Sequence, residues 1–215
     1  ILLADEINRT PPKTQSALLE AMQERQVTLD GETLILPSLF WVIATQNSLE
    51  FEGTYPLPEA QLDRFLFKLI IDYPNSIAEK QMLINANQNI YNQTFNLDNI
   101  KPIAMVEEIL QIRQEINSIQ VAENIIDYIV KLVEKSRQHP DLFLGTSPRA
   151  AVAWLNRSKS QAWFNGRDYV TPDDVKAVAN PLLCHRLILK PEAQLDGVEV
   201  NSVIQSLLKQ VSVPR

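Results

Sequence analysis

Four short clusters carry side chains that could do chemistry. Asp5-Glu6 closes the apolar run Ile1-Leu2-Leu3-Ala4. Two carboxylates at the carboxyl end of a buried strand lie where open α/β sheets bind ligands. Charge beside an apolar strand calls for compensation, by a metal ion or a charged substrate. The plain alternative is that both cap the strand and face water. Asn47 closes a second apolar run, Phe40–Ala44. It falls beside Asp5-Glu6 if the two strands are neighbours, where a neutral amide could orient a water or merely turn the chain. Arg64 lies in Glu59-Ala60-Gln61-Leu62-Asp63-Arg64-Phe65. It either pairs with Asp63 or Glu59, or offers an exposed guanidinium to a phosphate, including one on a neighbouring subunit. Arg149 follows Ser147 and Pro148, an N-cap residue and a first-turn proline. A cation in that first turn opposes the helix dipole by about 0.3–1 kcal/mol. A local rule broken at one place hints at a compensating function; otherwise Arg149 is a solvated side chain whose penalty is trivial.

Other chemistry is scarce. His139 and His185 have no metal-ligand spacing, and lone histidines are usually structural. Cys184, the only cysteine, excludes an intramolecular disulfide and a cysteine-rich zinc site, and suits a reducing cytosol. It reads as core, and Trp41, Trp154 and Trp163 read as core or interface. The five glycines among 215 residues are never clustered and never precede Lys, so the chain holds no glycine-rich phosphate loop. Lys plus Arg number 20 and Asp plus Glu 26, a net charge of −6. That balance disfavours a nucleic-acid-coating domain, which needs a basic face. The apolar fraction of 45% supports a sizeable core. No window of 18 apolar residues offers a membrane span.

The elements that must position these residues follow from periodicity. Ile1–Ala4 reads as a buried parallel strand already in progress, as in a fragment that starts inside a strand with an N-terminal part missing. Thr10-Pro11-Pro12 opens a helix to about Arg25, capped by Thr10, with Leu18, Leu19 and Met22 on its apolar side. Val27–Leu29, Asp30-Gly31 and Thr33–Leu36 spell a hairpin with a two-residue primed turn. Phe40–Ala44 and Phe65–Ile71 read as further strands, with a short helix at Glu59–Arg64. Beyond Tyr73-Pro74 the pattern becomes helical: Ile77–Ala86, Val106–Ile116, a firm amphipathic helix through Ile125–Val133, one from Ser147-Pro148 to about Phe164, one opened by Thr171-Pro172-Asp173-Asp174, and a weak one at Val200–Val211. Asn85–Asn99, rich in Asn and Gln, reads as a loop or linker. The fold class is therefore α/β followed by all-α.

In order and in length, these motifs resemble the MoxR family of AAA+ ATPases. Ile1-Leu2-Leu3-Ala4-Asp5-Glu6-Ile7-Asn8-Arg9 is similar to its Walker B segment. Pro11-Pro12-Lys13-Thr14-Gln15, Glu20-Ala21-Met22-Gln23-Glu24-Arg25, Ala44-Thr45-Gln46-Asn47 and Gly53 to Phe65 continue the likeness. Ser147-Pro148-Arg149-Ala150 and Gly166 to Val175 resemble its helical lid. The likeness is weakest at Asn85–Asn99 and after Pro191. It implies a partial P-loop NTPase core at residues 1–73, a connecting helical segment at 74–133 and a helical lid at 134–215.

The same resemblance implies roles. Asp5 would hold Mg²⁺ through a water, and Glu6 would activate the attacking water as general base. Asn47 would be sensor 1, Arg64 an arginine finger reaching the nucleotide of the adjacent subunit, and Arg149 sensor 2. The hairpin at Val27–Leu36 would face the central pore of a ring. ATP with Mg²⁺ is the implied substrate and cofactor. A homo-oligomeric ring (a hexamer), a von Willebrand factor A domain protein and a protein client are the implied partners, and the cytoplasm the compartment. Ser48 stands where the family commonly has Pro, and Phe51 where a polar residue is more usual. The larger departure is the missing Walker A loop, which leads us to expect an ATPase in the full-length protein and no turnover from these residues alone. The alternative is a truncated, inactive assembly or interaction module. A nucleic-acid motor is disfavoured by the acidic hairpin, which holds Asp30 and Glu32 and no Lys or Arg between Val27 and Leu36.

Overall fold

The computed structural model describes residues 1–47, 53–88 and 100–214. Ser48, Phe51 and most of the Asn- and Gln-rich stretch lie outside the described residues. Two compact units are distinguished: Ile1–Lys68 together with Glu115–Arg215, and Leu69–Gln114.

The first unit begins with an α/β portion. Strand β1 (Leu2–Ala4) leads through a single 3₁₀ turn at Ile7–Arg9 into helix α1 (Pro12–Glu24). The N-cap of α1 is Pro11, not Thr10. Thr10 instead donates its hydroxyl to the Ile7 carbonyl at 2.7 Å and closes the 3₁₀ turn. Leu19 and Ala21 are the buried apolar residues of α1, and Leu18 and Met22 are half-buried against the Ile7, Leu19 and Leu57 cluster. Arg25 ends the helix in the left-handed region. Strands β2 (Gln26–Leu29) and β3 (Glu32–Ile35) then pair antiparallel in the expected register, Leu29 opposite Glu32. Asp30 and Gly31 both take positive φ, 50° and 86°, as a type I′ turn requires.

Strand β4 (Val42–Ala44) pairs with β1 in parallel, Leu2 opposite Val42 and Ala4 opposite Ala44. These strands are less buried than their apolar sequences suggest: Leu3 and Ile43 are exposed, and so is Trp41. Two strands alone cannot cover both faces of a parallel sheet. After the short helix α2 (Glu59–Leu62) the run Phe65–Ile71 was expected to be a strand. No strand forms there. The carbonyls of Phe65 and Leu66 are taken by side chains rather than by a neighbouring strand.

In the second unit, α3 (Ser76–Asn87) is opened by Asn75, whose side chain accepts from the Ala78 N–H. It extends through the predicted start of the Asn-rich loop. Helix α4 (Val106–Ser118) begins in this unit and ends in the first.

The remainder of the first unit is helical and contains the larger core. Helix α5 (Glu123–Arg137) buries Ile125, Tyr128, Ile129, Leu132 and Val133, as its spacing demands. Strand β5 (Leu142–Leu144), helix α6 (Pro148–Phe164), helix α7 (Pro172–Leu183), strand β6 (Ile188–Leu189), helix α8 (Pro191–Leu195) and helix α9 (Val200–Gln210) follow. Two starts coincide with the sequence signals. Ser147 Oγ accepts from the Ala150 N–H at 3.0 Å. Thr171 and Asp174 form a reciprocal capping box. Asp174, fully buried, is also gripped by Arg167 at 2.8 and 2.5 Å. Burial pushes its carboxyl up, but the bonds from Arg167 and Thr171 outweigh this and leave it below the usual range. Trp154 is the largest core side chain and donates its indole N–H to the Val175 carbonyl, joining α6 to α7. Trp163 is half-buried and reaches Glu115.

Candidate functional site

The parallel pairing of β1 with β4 brings two of the sequence-selected clusters to one edge. Asp5-Glu6 leaves the carboxyl end of β1, and Thr45-Gln46-Asn47 leaves the same end of β4. The two segments are stitched together by Thr45. Its backbone N–H donates to the Ala4 carbonyl and its carbonyl accepts from Ile7, both at 3.0 Å. Its hydroxyl accepts from the Glu6 N–H at 2.8 Å and donates to Oδ1 of Asp5 at 2.5 Å. One hydroxyl thus orients both acidic residues. Thr45 was missed as a site residue from sequence; a hydroxyl closing a strand beside a carboxylate pair was the available signal.

Glu6 is held in an unusual conformation. Its φ is 48° and ψ 53°, the left-handed region. A non-glycine residue there costs about 1–3 kcal/mol, and such costs concentrate at functional sites. The Thr45 bond fixes its backbone, and its carboxylate pairs with Arg9 Nε at 2.9 Å. Beneath it, Asn8 donates to the Asn47 carbonyl at 3.2 Å. Gln15, buried on α1, donates to the carbonyls of Ile7 and Tyr55 at 3.1 and 2.9 Å. The 3₁₀ turn is therefore anchored to both α1 and the segment before α2. Asn47 itself is half-buried at the end of β4.

Arg64 and Arg149 are not part of that edge cluster. Arg64 follows α2, is exposed and lines a cleft of about 300 Å³ with Glu20, Glu24 and Gln61. Its guanidinium makes no hydrogen bond or ion pair among the described residues. The neighbour offered as its partner by sequence, Asp63, is bonded elsewhere: Oδ1 accepts from Arg186 Nε at 2.7 Å and Oδ2 from Ser147 Oγ at 3.1 Å. Arg149 is exposed in the first turn of α6, two residues beyond Ser147. The preceding loop is pinned to α5. Ser136 Oγ donates to Thr146 Oγ1, and Arg137 Nε donates to the Thr146 carbonyl at 3.0 Å.

Arg186 was overlooked in the sequence, although a guanidinium inside the apolar run Leu182–Leu189 signals a buried partner. Its side chain is 3% exposed. Burial pushes its pKa down, the Asp63 carboxylate pulls it up, and the charge of Arg149 adds to the lowering. Next to it, His185 Nε2 lies 3.0 Å from the Phe65 carbonyl, so that nitrogen carries the proton and donates. Burial lowers the pKa of His185 to about 4. Cys184 caps α7 half-buried, and burial raises its pKa. His139 Nδ1 accepts from the Asp141 N–H at 3.3 Å.

No cluster of three or more His, Cys, Asp or Glu side chains that could hold a metal ion occurs among the described residues. Asp5 by itself offers one carboxylate. This fits Mg²⁺, which keeps several waters and is bound through one or two carboxylates plus substrate phosphates. No helix of the described residues is long and apolar enough to cross a membrane.

Residues 1–67 match the ATPase family associated with various cellular activities (AAA), and residues 134–207 the AAA lid domain. The whole chain is 44% identical to the protein YeaC of Bacillus subtilis over 214 residues, and 40% identical to Chaperone MoxR1 of Mycobacterium tuberculosis over 223 residues. It spans 65% of the first and 57% of the second. A crystal structure of a Cytophaga hutchinsonii protein, 40% identical, superposes with a TM-score of 0.89 over 99% of this chain and 66% of that one. The fold is that of an AAA+ core portion, with its small parallel sheet, followed by a helical lid domain.

Proposed function

We propose, for a chain that belongs to the MoxR family of AAA+ ATPases, that its carboxylate edge and its two exposed arginines hydrolyse ATP in an assembled ring. The observation that carries this reading is the β1–β4 pairing, which sets Asp5 and Glu6, joined by the Thr45 hydroxyl, at the same strand edge as Asn47. Asp5 would hold Mg²⁺, which would supply charge neutralisation at the phosphates. Glu6 accepts the proton of the attacking water, and Asn47 orients that water by hydrogen bonding. Phosphoryl transfer needs little covalent help, so positioning and charge stabilisation are the protein's share. Arg64, exposed and without a partner among the described residues, acts as an arginine finger on the nucleotide of the adjacent subunit. Such a finger is worth about 10³–10⁵ in rate. Arg149 acts on the nucleotide from the lid as sensor 2.

The ring is a hexamer, and its product is mechanical: remodelling or maturation of a protein client, with a von Willebrand factor A domain protein as partner. The name of the Mycobacterium tuberculosis relative, a chaperone, supports this reading. The β2–β3 hairpin, acidic at its turn, faces the pore. The compartment is the cytoplasm, in keeping with a single free cysteine. The chain contains no Walker A sequence, whose backbone N–H groups and Lys cradle the triphosphate. Residues 1–215 by themselves should therefore not turn over ATP.

The test is made in the full-length gene product. Glu6→Gln should retain ATP binding and lose hydrolysis by at least about 10²-fold, the usual scale for a general base. Unchanged hydrolysis would remove Glu6 from the reaction. Turnover by residues 1–215 alone, magnesium-dependent and abolished by Glu6→Gln, would contradict the need for a separate phosphate cradle.

A further inference from the structure

Arg186 belongs to none of the motifs that carry the family resemblance, yet it is the most heavily engaged side chain near Arg64. It projects from the residues just after α7 onto the segment Asp63–Leu66. Nε bonds the Asp63 carboxylate at 2.7 Å. Nη2 bonds the carbonyls of Asp63 at 3.2 Å and Phe65 at 2.6 Å. Nη1 bonds the Leu66 carbonyl at 2.9 Å and closes back on the Leu182 carbonyl at the end of α7. Arg64 therefore sits between residues on both sides that are held by one buried guanidinium. Phe65 is fixed a second time by His185, and Lys68 a third way, through its N–H to the Pro181 carbonyl.

This segment forms no strand, so its conformation is not set by a sheet ladder. It is set by the end of α7. The planar fork of an arginine is suited to this, because five donors in fixed geometry can satisfy several acceptors at once. A lysine presents a point charge and cannot. The Asp63 carboxylate adds a second tie: its other oxygen accepts from Ser147 Oγ, the cap of the helix that carries Arg149. One carboxylate thus joins Arg186, just after α7, to Ser147, the cap of the helix that carries Arg149.

We propose that Arg186 is the positioning residue of the arginine finger: it fixes the backbone of Asp63–Leu66 so that Arg64 projects free, and Asp63 ties that geometry to the cap of the Arg149 helix. This rests on the reading of Arg64 as a finger. Arg186 touches no substrate. Its effect passes through Arg64, and should show in the rate of the chemical step and not in nucleotide affinity.

The experiment uses the full-length gene product with Arg64→Ala, Arg186→Lys and the double variant, each checked for fold by circular dichroism and for assembly by sedimentation. Steady-state ATP hydrolysis gives kcat and KM. ATP affinity is measured separately in the Glu6→Gln background. Arg186→Lys should lower kcat at least about tenfold, on the scale of a slightly misplaced catalytic group, and change ATP affinity less than about twofold. The double variant should be about as slow as Arg64→Ala alone, because residues acting as a unit are not additive. Wild-type kcat in Arg186→Lys, or losses that multiply in the double variant, would overturn the proposal while leaving the finger intact. Unchanged kcat in Arg64→Ala would instead overturn the finger reading itself. If Arg186→Lys does not fold, Asp63→Asn decides in its place: its one amide oxygen can serve Arg186 Nε but its amide nitrogen cannot accept from Ser147, and the same loss of kcat at constant affinity is expected. Failure of both variants to fold would assign Arg186 a purely structural role and overturn the proposal.

Discussion

The carboxylate of Asp63 accepts a 2.7 Å hydrogen bond from Nε of Arg186, 123 positions later in the chain. Asp63 is largely covered, and the Arg186 guanidinium is almost wholly so. Breaking a buried pair by removing one partner leaves an uncompensated charge, which costs about 3–5 kcal/mol. Asp63→Ala should lower the urea-unfolding free energy by that amount. Arg64→Ala, one residue away but exposed, should stay within about 0.5 kcal/mol of the parent. Equal effects at the two positions would mean that Arg186 is satisfied by the carbonyls alone.

His185 makes stability pH-dependent. Its neutral form is buried, with Nε2 donating to Phe65 and a pKa near 4, against 6.5 for a free histidine. Below pH 6.5 the unfolded chain takes up a proton that the folded chain refuses, so stability falls as pH drops from about 6.5 towards 4. The loss at this one group is up to about 3 kcal/mol. His185→Gln keeps a donor for the Phe65 carbonyl and does not titrate. The urea midpoint between pH 7 and 4.5 should fall less steeply in this variant than in the parent. Parallel slopes would exclude His185 as the titrating group.

Gly145 sets the height of the loop before α6. A Cβ there would lie 2.7 Å from the backbone N and Cα of Arg137 on α5, and neither can move without shifting the helix. Gly145→Ala should destabilise by about 1–3 kcal/mol, as overpacking does. It should also loosen the Ser147–Asp63 bond, because Thr146 and Ser147 ride on the same loop. Thermal unfolding checks the first effect. Faster amide hydrogen exchange at Ala150, whose N–H is capped by Ser147, checks the second.

Thr45 should matter more than its size suggests. Its hydroxyl serves Asp5 and Glu6 together, and Glu6 sits in the left-handed region. Thr45→Val keeps the shape and removes the hydroxyl. In the full-length protein it should lower kcat for ATP by about tenfold or more, through loss of orientation. Thr45→Ser, which restores the hydroxyl, should recover most of the rate. Equal rates in the Val and Ser variants would reduce Thr45 to a packing residue.

Local signals were legible in the sequence where the cause is local. Ser147-Pro148 and Thr171-Pro172 announce helices because capping depends on neighbours only, and both helices begin where those residues stand. Asp30-Gly31 announces the hairpin because the turn needs positive φ at both places. The closeness of Asp5-Glu6 to the end of β4 could be stated only conditionally, since strand order is not a local property; the parallel pairing supplies it. Phe65–Ile71 misled because an apolar, β-branched run reads as a strand whether or not a neighbour exists to pair with it. Its carbonyls went to Arg186 and His185, contacts across about 120 residues that no window of sequence contains. The short β5–β6 pairing was missed for the same reason.

The central claim is that the edge residues of one subunit and Arg64 of its neighbour make one ATPase site. Subunit mixing of the full-length protein tests it most directly. Glu6→Gln and Arg64→Ala proteins should each be nearly inactive alone. In a one-to-one mixed ring of head-to-tail subunits, about a quarter of the interfaces join an intact Glu6 to an intact Arg64. The account predicts that mixing restores hydrolysis towards about that fraction of the parent rate. Two inactive proteins that assemble together and remain inactive would contradict it, because Arg64 would then be acting within its own subunit.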